Sequence, residues 1–175
     1  MARQKIANSP AYQWGAATLF LSVAVILGAL GFEHIGKILP CPLCLEQRWA
    51  YYGSIPVAFI ALVLLSAGHP RAAAVLFGLI GLAFLTNAGL GTYHSGVEWG
   101  FWAGPDTCSG APAALSIGGN LLESLAKSER IVRCDEAAWR FGGLSLAGWN
   151  VVASLMLCTA ATKAALNARD HELYL

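Results

Sequence analysis

The spacing of charged residues constrains this chain more than any other feature. Asp, Glu, Lys and Arg are missing from four long stretches, which lie between Lys5 and Glu33, Arg48 and Arg71, Arg71 and Glu98, and Arg140 and Lys163. Each stretch exceeds the about 20 residues that a helix needs to cross a bilayer. The chain is therefore predicted to be an all-α membrane protein, a bundle of four transmembrane helices.

Composition supports a membrane class and argues against binding to nucleic acid. Hydrophobic residues make up 57% of the chain and charged residues 12%, whereas soluble proteins carry roughly 25% charged residues. The formal net charge is +1, and the positive charges form no basic run. We expect lipid to be a partner and nucleic acid not to be one.

We predict a single integral-membrane domain over residues 1–175, with spans at about 14–32, 49–66, 72–93 and 142–161. The first span is too long for the apolar region of a secretory signal, which has roughly 7 to 15 residues, so we expect it to be retained. Pro56 should kink or loosen the second span. Gly68 and Pro70 predict a tight turn between the second and third spans.

Four crossings place both termini on one side of the membrane and the loops 33–48 and 94–141 on the other. Four of the five cysteines lie in those two loops, namely Cys41, Cys44, Cys108 and Cys134. Counts of Lys and Arg are similar on the two sides and do not decide the orientation. Paired cysteines persist mainly in oxidising compartments, which favours cytoplasmic termini and periplasmic cysteine loops.

The sequence Cys41-Pro42-Leu43-Cys44 is predicted to begin the second helix, because proline suits a first helical position. Cys44 then lies in the first turn, where the helix dipole favours a thiolate. Arg48 stands four residues later on the same helix face. Its guanidinium would stabilise a thiolate at Cys44. The alternative for Arg48 is an anchor in the lipid headgroups.

Cys108 and Cys134 enclose a segment whose apolar residues are spaced like one face of a short helix lying on the membrane: Ile117, Leu121, Leu122 and Leu125. A disulfide across this loop would be a passive staple or would exchange with the Cys-x-x-Cys pair. The four cysteines also suit a zinc site, although structural zinc more often uses two close-spaced pairs. We expect no metal.

The fifth cysteine, Cys158, lies inside the fourth span and is interpreted as a buried hydrophobic residue.

These residues resemble those of the DsbB family, bacterial disulfide bond formation protein B. The resemblance covers nearly the whole chain and is carried by Cys-x-Leu-Cys followed by Gln47-Arg48, by Tyr93-His94 at the end of span three, and by Cys134 followed by Trp139 and Trp149.

The resemblance implies a thiol:quinone oxidoreductase of the bacterial inner membrane that supports disulfide bond formation. A periplasmic DsbA-like dithiol oxidase would attack the Cys108–Cys134 disulfide at Cys108, and Cys134 would then engage Cys41. Cys44 would be released as the thiolate that contacts the quinone, which is ubiquinone or menaquinone. Re-forming the Cys41–Cys44 disulfide would deliver two electrons to it.

The resemblance also implies that Arg48, His94 and Trp149 bind the quinone. Other roles are possible for His94 and Trp149, because histidine caps helix ends and tryptophan is frequent at the membrane interface.

Two other functions of the protein remain open at this point. One is a structural membrane protein whose cysteines hold zinc or static disulfides. The other is a transporter or assembly subunit. No charged residue lies well inside a predicted span to mark a substrate or proton path, which argues against this function.

Overall fold

The structure is a computed structural model that describes residues 9–105 and 133–173, with side chains as far as Arg169. Four long helices dominate it: α1 (Pro10–His34), α2 (Pro42–Ser66), α3 (Pro70–Glu98) and α4 (Leu146–Leu173). A two-stranded antiparallel hairpin, β1 (Arg140–Phe141) and β2 (Leu144–Ser145), precedes α4. The prediction of four helices long and apolar enough to cross a membrane is confirmed.

Proline and capping side chains begin the helices. Pro10, Pro42 and Pro70 are the first residues of α1, α2 and α3, where the missing N–H would have no partner within the helix. The Ser9 hydroxyl accepts a hydrogen bond from the Tyr12 amide at 3.3 Å. Cys41 caps α2 in the same way, because its sulfur accepts from the Cys44 amide at 3.2 Å.

Most helix ends differ from the predicted span ends, and the end of α3 and the start of α4 show why. α3 continues to Glu98, because helical hydrogen bonding does not stop where the apolar stretch stops. α4 begins at Leu146 and not at 142, because Gly142 and Gly143, with φ of 59° and 83°, form the turn of the hairpin. Pro56 lies inside α2 without ending it. The predicted interfacial helix and Cys108 lie outside the described residues.

The helices pack in a ring, with α3 against α4 and α2, and α1 against α2 and α4. Small residues let α3 and α4 approach closely, as in many membrane bundles. A Cβ added to Gly91 would lie 2.9 Å from Val151 Cγ2, and one added to Gly81 would lie 3.2 Å from Thr162 Oγ1. The interface between α3 and α4 therefore depends on glycine.

Large apolar side chains cover the outside of the described helices, whereas alanine is frequent in the core. Phe20, Phe59 and Leu82 are exposed, and Phe77, Phe84 and Leu157 are the largest apolar side chains that are fully buried. Lipid tails are as apolar as the protein core, so large apolar side chains are stable on an outer surface that faces lipid. The distribution agrees with a multi-pass membrane protein.

Polar contacts join four helix ends at one end of the bundle, which we call the cysteine end. Arg48 near the start of α2 pairs with Glu33 at the end of α1. Gln47 contacts His94 near the end of α3 and Asn150 near the start of α4. The helices therefore bring residues that are far apart in sequence around Cys41 and Cys44.

Candidate active site

A cavity of about 330 Å³ lies at the cysteine end. Five of the predicted site residues line it: Cys41, Cys44, Arg48, His94 and Trp149. Apolar residues of α1, among them Val25, Ile26 and Phe32, form another wall. The volume is within the range of small-molecule sites, which are typically about 300 to 1,000 Å³.

Cys41 and Cys44 are free thiols that lie in direct contact. Cys41 is 3% exposed, and its sulfur donates a hydrogen bond to the Cys44 sulfur at 2.8 Å. That hydrogen bond, followed by burial, raises the pKa of Cys41 well above its ordinary value. The thiol proton of Cys41 therefore points to Cys44, and the Cys44 sulfur accepts this hydrogen bond.

Cys134 lies beside this pair. It is 1% exposed, is engaged in a disulfide, and packs with Cys41, Leu43 and Val97 in one apolar cluster. Its sulfur, the Cys41 sulfur and a ring nitrogen of His94 lie within 4.8 Å of one another. A disulfide sulfur and a free thiol are thus neighbours in the folded chain. Because Cys108 is outside the described residues, its pairing with Cys134 stays a prediction.

The group formed by Cys41, His94 and Cys134 is also where a metal ion would bind. Zinc requires deprotonated thiolates, and structural zinc sites use four ligands. The disulfide leaves Cys134 without a thiolate, so Cys41 and His94 are the two donors that this group can offer. A zinc site here would require prior reduction of Cys134.

Arg48 forms an ion pair with Glu33, which bridges α2 and α1. The Arg48 side chain is 12% exposed and that of Glu33 24% exposed, so both are mostly withdrawn from solvent. A partly buried pair is held more firmly than a surface pair, because desolvated charges attract more strongly. Glu33 therefore fixes the guanidinium beside the cavity that Cys44 also lines.

His94 is 2% exposed and has a partner at each ring nitrogen. Its Nδ1 lies 2.9 Å from Gln47 Nε2. Its Nε2 lies 3.5 Å from the Cys41 sulfur and 3.8 Å from Glu98 Oε1. The Glu98 side chain is 5% exposed, and within the described part of the chain its Oε2 has no hydrogen-bond partner. The imidazole thus touches the Cys41 sulfur directly.

Polar side chains inside the bundle extend this contact in a hydrogen-bonded row. Asn150 Nδ2 donates to Gln47 Oε1 at 2.6 Å, and the Tyr51 hydroxyl donates to Asn150 Oδ1 at 2.6 Å. Asn87 Nδ2 lies 3.5 Å from the same Oδ1 and donates to Ser154 Oγ at 2.9 Å. Buried polar residues within membrane spans are a functional hint, because they are costly to keep there.

Comparison with known proteins agrees with this geometry. The family model described as "Disulfide bond formation protein DsbB" matches residues 12–164. The chain belongs to the DsbB family. The family resemblance predicted from the cysteine motifs is thereby confirmed, and membership implies a protein of disulfide bond formation.

Relatives of this DsbB-family protein match most of its length. A protein named "Disulfide bond formation protein B" from Alkalilimnicola ehrlichii is 32% identical over 148 residues, covering 81% of this chain and 85% of its own. One of the same name from Marinobacter nauticus is 31% identical over 150 residues, covering 80% and 83%. "Uncharacterized protein RP370" from Rickettsia prowazekii is 27% identical over 140 residues, covering 78% and 77%. No solved structure matches the chain.

Trp149 lies at the rim of the cavity. Its indole Nε1 donates to the Phe141 carbonyl at 3.0 Å, which attaches α4 to the hairpin. A row of aromatic rings joins it to α1, with centroids 6.3 Å apart from Trp149 to Phe141, 5.7 Å from Phe141 to Trp139 and 5.1 Å from Trp139 to Phe32. These contacts place Trp149 at the edge of the cavity. That Trp149 binds a quinone stays a prediction.

Several residues of the site were not predicted from the sequence: Glu33, Gln47, Tyr51, Glu98 and Asn150. Two signals pointed to some of them. Gln47 and Tyr51 follow Cys44 at three and seven residues, which is one helix face. Asn150 is a polar residue near the start of an apolar span, where an amide without a partner would be costly.

Proposed function

We propose that this DsbB-family protein re-oxidises a periplasmic DsbA-like dithiol oxidase by thiol–disulfide exchange and passes the electrons to a membrane quinone. One observation carries the proposal. The disulfide sulfur of Cys134 lies within 4.8 Å of Cys41, and Cys41 contacts Cys44 on the wall of a cavity within a membrane bundle. Disulfide exchange and electron delivery would therefore occur at neighbouring sulfurs.

Exchange begins when a thiolate of the partner attacks the disulfide that contains Cys134. Cys134 leaves as a thiolate and, when Cys41 and Cys44 are joined, attacks Cys41. Each attack forms one sulfur–sulfur bond and breaks one, so no electrons leave the sulfurs at this stage. Cys44 is the leaving group of the second attack, in keeping with its position as acceptor of the Cys41 hydrogen bond. The second thiolate of the partner then closes the partner's own disulfide and displaces the loop cysteine that was paired with Cys134. That cysteine attacks Cys134 and releases Cys41, which takes up a proton.

Electron delivery occurs when the reduced pair of Cys41 and Cys44 closes again. Closure joins the Cys41 thiol to the Cys44 thiolate, and it releases two electrons and one proton. A bound quinone supplies the acceptor for two electrons and two protons, so the second proton comes from water. Cys41 and Cys44 are already in contact, so closure needs little movement of α2.

The residues at the cavity suit a quinone, either ubiquinone or menaquinone. Val25, Ile26 and Phe32 offer an apolar wall for a lipid-soluble ring. Arg48 would hold the ring and stabilise negative charge on its oxygen, since a guanidinium stays protonated. His94 and Trp149 line the same cavity, so we include them in the proposed binding site.

The proposed orientation follows from the chemistry. Thiol exchange with a secreted oxidase requires an oxidising compartment, so the cysteine end would face the periplasm and both termini the cytoplasm. The four apolar helices would then span the bacterial inner membrane.

The test is quinone reduction by the purified protein in detergent, with a reduced DsbA-like protein as the electron donor. We expect the quinone absorbance to change at a rate that Cys44→Ser abolishes. Cys158→Ser is the matched control, because Cys158 is a free cysteine that packs against the main core of the bundle. Full activity of Cys44→Ser would reject the relay. Bound zinc together with an unchanged thiol count would favour the structural alternative.

A further inference from the structure

We propose that Tyr51, Asn150 and Gln47 hold His94 as the neutral tautomer with its proton on Nε2. His94 is then a hydrogen-bond donor to the Cys41 sulfur and not the base that removes the Cys41 proton. The residues Gln47, Asn150 and Tyr51 are positioning residues, because they act on the sulfur through the imidazole. The role in catalysis rests on the proposed function, whereas the tautomer itself does not.

The sulfur side of the imidazole requires a donor at Nε2. The Cys41 thiol proton already points to the Cys44 sulfur at 2.8 Å, and the Cys44 amide donates to Cys41 at 3.2 Å. The Cys41 sulfur therefore presents a lone pair to His94 Nε2, which lies 3.5 Å away. A proton on Nε2 satisfies this contact. Glu98 Oε1 lies on the same side at 3.8 Å, beyond hydrogen-bond distance, and its carboxyl favours a proton there.

The amide side leads to the same tautomer independently. Gln47 Oε1 accepts from Asn150 Nδ2 at 2.6 Å, which leaves the Gln47 amide N–H to face His94 Nδ1 at 2.9 Å. Asn150 Oδ1 receives the Tyr51 hydroxyl at 2.6 Å and lies 3.5 Å from Asn87 Nδ2. With two donors at Oδ1, the Asn150 amide has its oxygen toward Tyr51. Nδ1 is therefore an acceptor.

Two consequences follow for the chemistry at Cys41. Nε2 already carries a proton and Nδ1 faces an amide donor, so neither ring nitrogen is free to accept the Cys41 proton. That proton leaves on the side of Cys44, to which it already points. In return, the Nε2 proton stabilises negative charge on Cys41 whenever Cys41 is a thiolate during exchange with Cys134. Hydrogen bonds to charged groups are the stronger class.

Other charged groups also face this site. Glu98 lies on α3, Glu33 on α1 and Arg48 on α2, and Arg133 and Glu136 line the cavity from the segment before the hairpin. All of them stay in place when Gln47 is changed. A variant at Gln47 therefore leaves these five charged side chains in the sequence and acts on His94 through Nδ1, where Gln47→Glu adds one carboxylate.

Nitrogen NMR of the full chain labelled with ¹⁵N-histidine tests the tautomer without any quinone. The chain has four histidines, and the signal that disappears in His94→Gln belongs to His94. We expect the wild-type signal to show a proton on Nε2 and none on Nδ1. In Gln47→Glu a carboxylate accepts from Nδ1, so a proton should appear there. Glu46→Gln, an exposed neighbour, is the matched control and should leave the signal unchanged.

A wild-type signal with the proton on Nδ1 alone, or on both nitrogens, would overturn the proposal. The wild-type spectrum decides this even if Gln47→Glu does not fold. An unchanged tautomer in a folded Gln47→Glu would show that Gln47 does not set it, and would overturn the proposal as well. Loss of quinone reduction has no bearing on this readout, so the two proposals fail separately.

Alkylation of Cys41 tests the donor role in a chain that keeps Cys41 as its only cysteine. His94→Leu removes the N–H, and we expect the alkylation rate to fall about tenfold, as for loss of a hydrogen bond to a charged group. His94→Gln keeps an N–H donor, and we expect it to retain most of the rate. If His94→Gln is as slow as His94→Leu, the donor role is wrong.

Discussion

The sulfurs of Cys41 and Cys134 lie within 4.8 Å of each other, and Cys41 is a free thiol whereas Cys134 is in a disulfide. A free thiol beside a disulfide is the starting arrangement for exchange, which passes through a mixed disulfide. The contact joins the head of α2 to the segment that precedes the hairpin, and both sulfurs are almost fully buried. Burial protects the pair from other thiols.

Removal of Cys44 should trap a disulfide between Cys41 and Cys134. In Cys44→Ala the Cys41 thiol loses its partner in the motif, so attack on Cys134 is its remaining route to a disulfide. We expect mass spectrometry of non-reduced peptides to detect the Cys41–Cys134 link in most molecules. Cys158→Ala is the control and should not produce it. Absence of the link in folded Cys44→Ala would mean that the two sulfurs do not react.

The two motif thiols should react with alkylating reagents in a fixed order. Because the pKa of Cys41 is raised, Cys41 stays a thiol across neutral pH and gains reactivity only as the pH rises toward strongly alkaline values. Cys44 accepts the hydrogen bond from Cys41 and is less buried, so it should be modified first. Peptide mapping after brief alkylation between about pH 6 and pH 9 measures the order. Modification of Cys41 before Cys44 would contradict the assigned proton position.

The ion pair of Arg48 and Glu33 should affect quinone reduction more than thiol exchange. Arg48→Ala removes a guanidinium from the cavity, and we expect the rate of quinone reduction to fall about tenfold or more. Glu33→Gln keeps the guanidinium but releases it, so it should raise the KM for quinone with a smaller effect on kcat. Arg169→Ala, at the opposite end of α4, is the matched control. Equal losses in exchange and in quinone reduction would indicate general damage to the fold.

How far the sequence predicts this molecule depends on the kind of contact. The membrane requires about 20 apolar residues per crossing, so charge spacing alone locates four helices. It does not locate their ends, because α4 continues past Lys163, the charged residue that closes its apolar stretch, as far as Leu173. The first charged residue marks a change of solvent, and the backbone hydrogen bonds of the helix persist beyond it.

Contacts between residues that are distant in sequence were not predicted, and the cysteine end shows why. Local spacing relates Cys41 to Cys44 and Cys44 to Arg48, and both relations were predicted. The hydrogen bond between Asn150 and Gln47 joins residues 103 positions apart, and the one between Gln47 and His94 spans 47. Such pairs depend on how the helices rotate against one another, which packing decides. Sequence spacing alone therefore does not show that Gln47, His94 and Asn150 meet.

Close packing of α3 on α4 gives a prediction about stability. Alanine at position 91 would place its Cβ 2.9 Å from Val151, and overpacking of this kind typically costs about 1 to 3 kcal/mol. We expect Gly91→Ala to lower the apparent Tm in detergent. Gly89→Ala is the matched control on the same helix, because its Cβ meets nothing within 4 Å. If the two variants unfold at the same temperature, the close approach at Gly91 does not limit stability.

A single-turnover reaction of the protein with quinone measures whether closure of the Cys41–Cys44 disulfide reduces the quinone. Protein with Cys41 and Cys44 reduced and the Cys134 disulfide intact is mixed with a soluble ubiquinone analogue, and quinone absorbance and free thiols are followed together. We expect one quinone reduced for each Cys41–Cys44 pair that closes, in wild type and in Cys158→Ser, and none in Cys44→Ser. Quinone reduction without loss of the two thiols, or undiminished reduction by Cys44→Ser, would contradict this expectation.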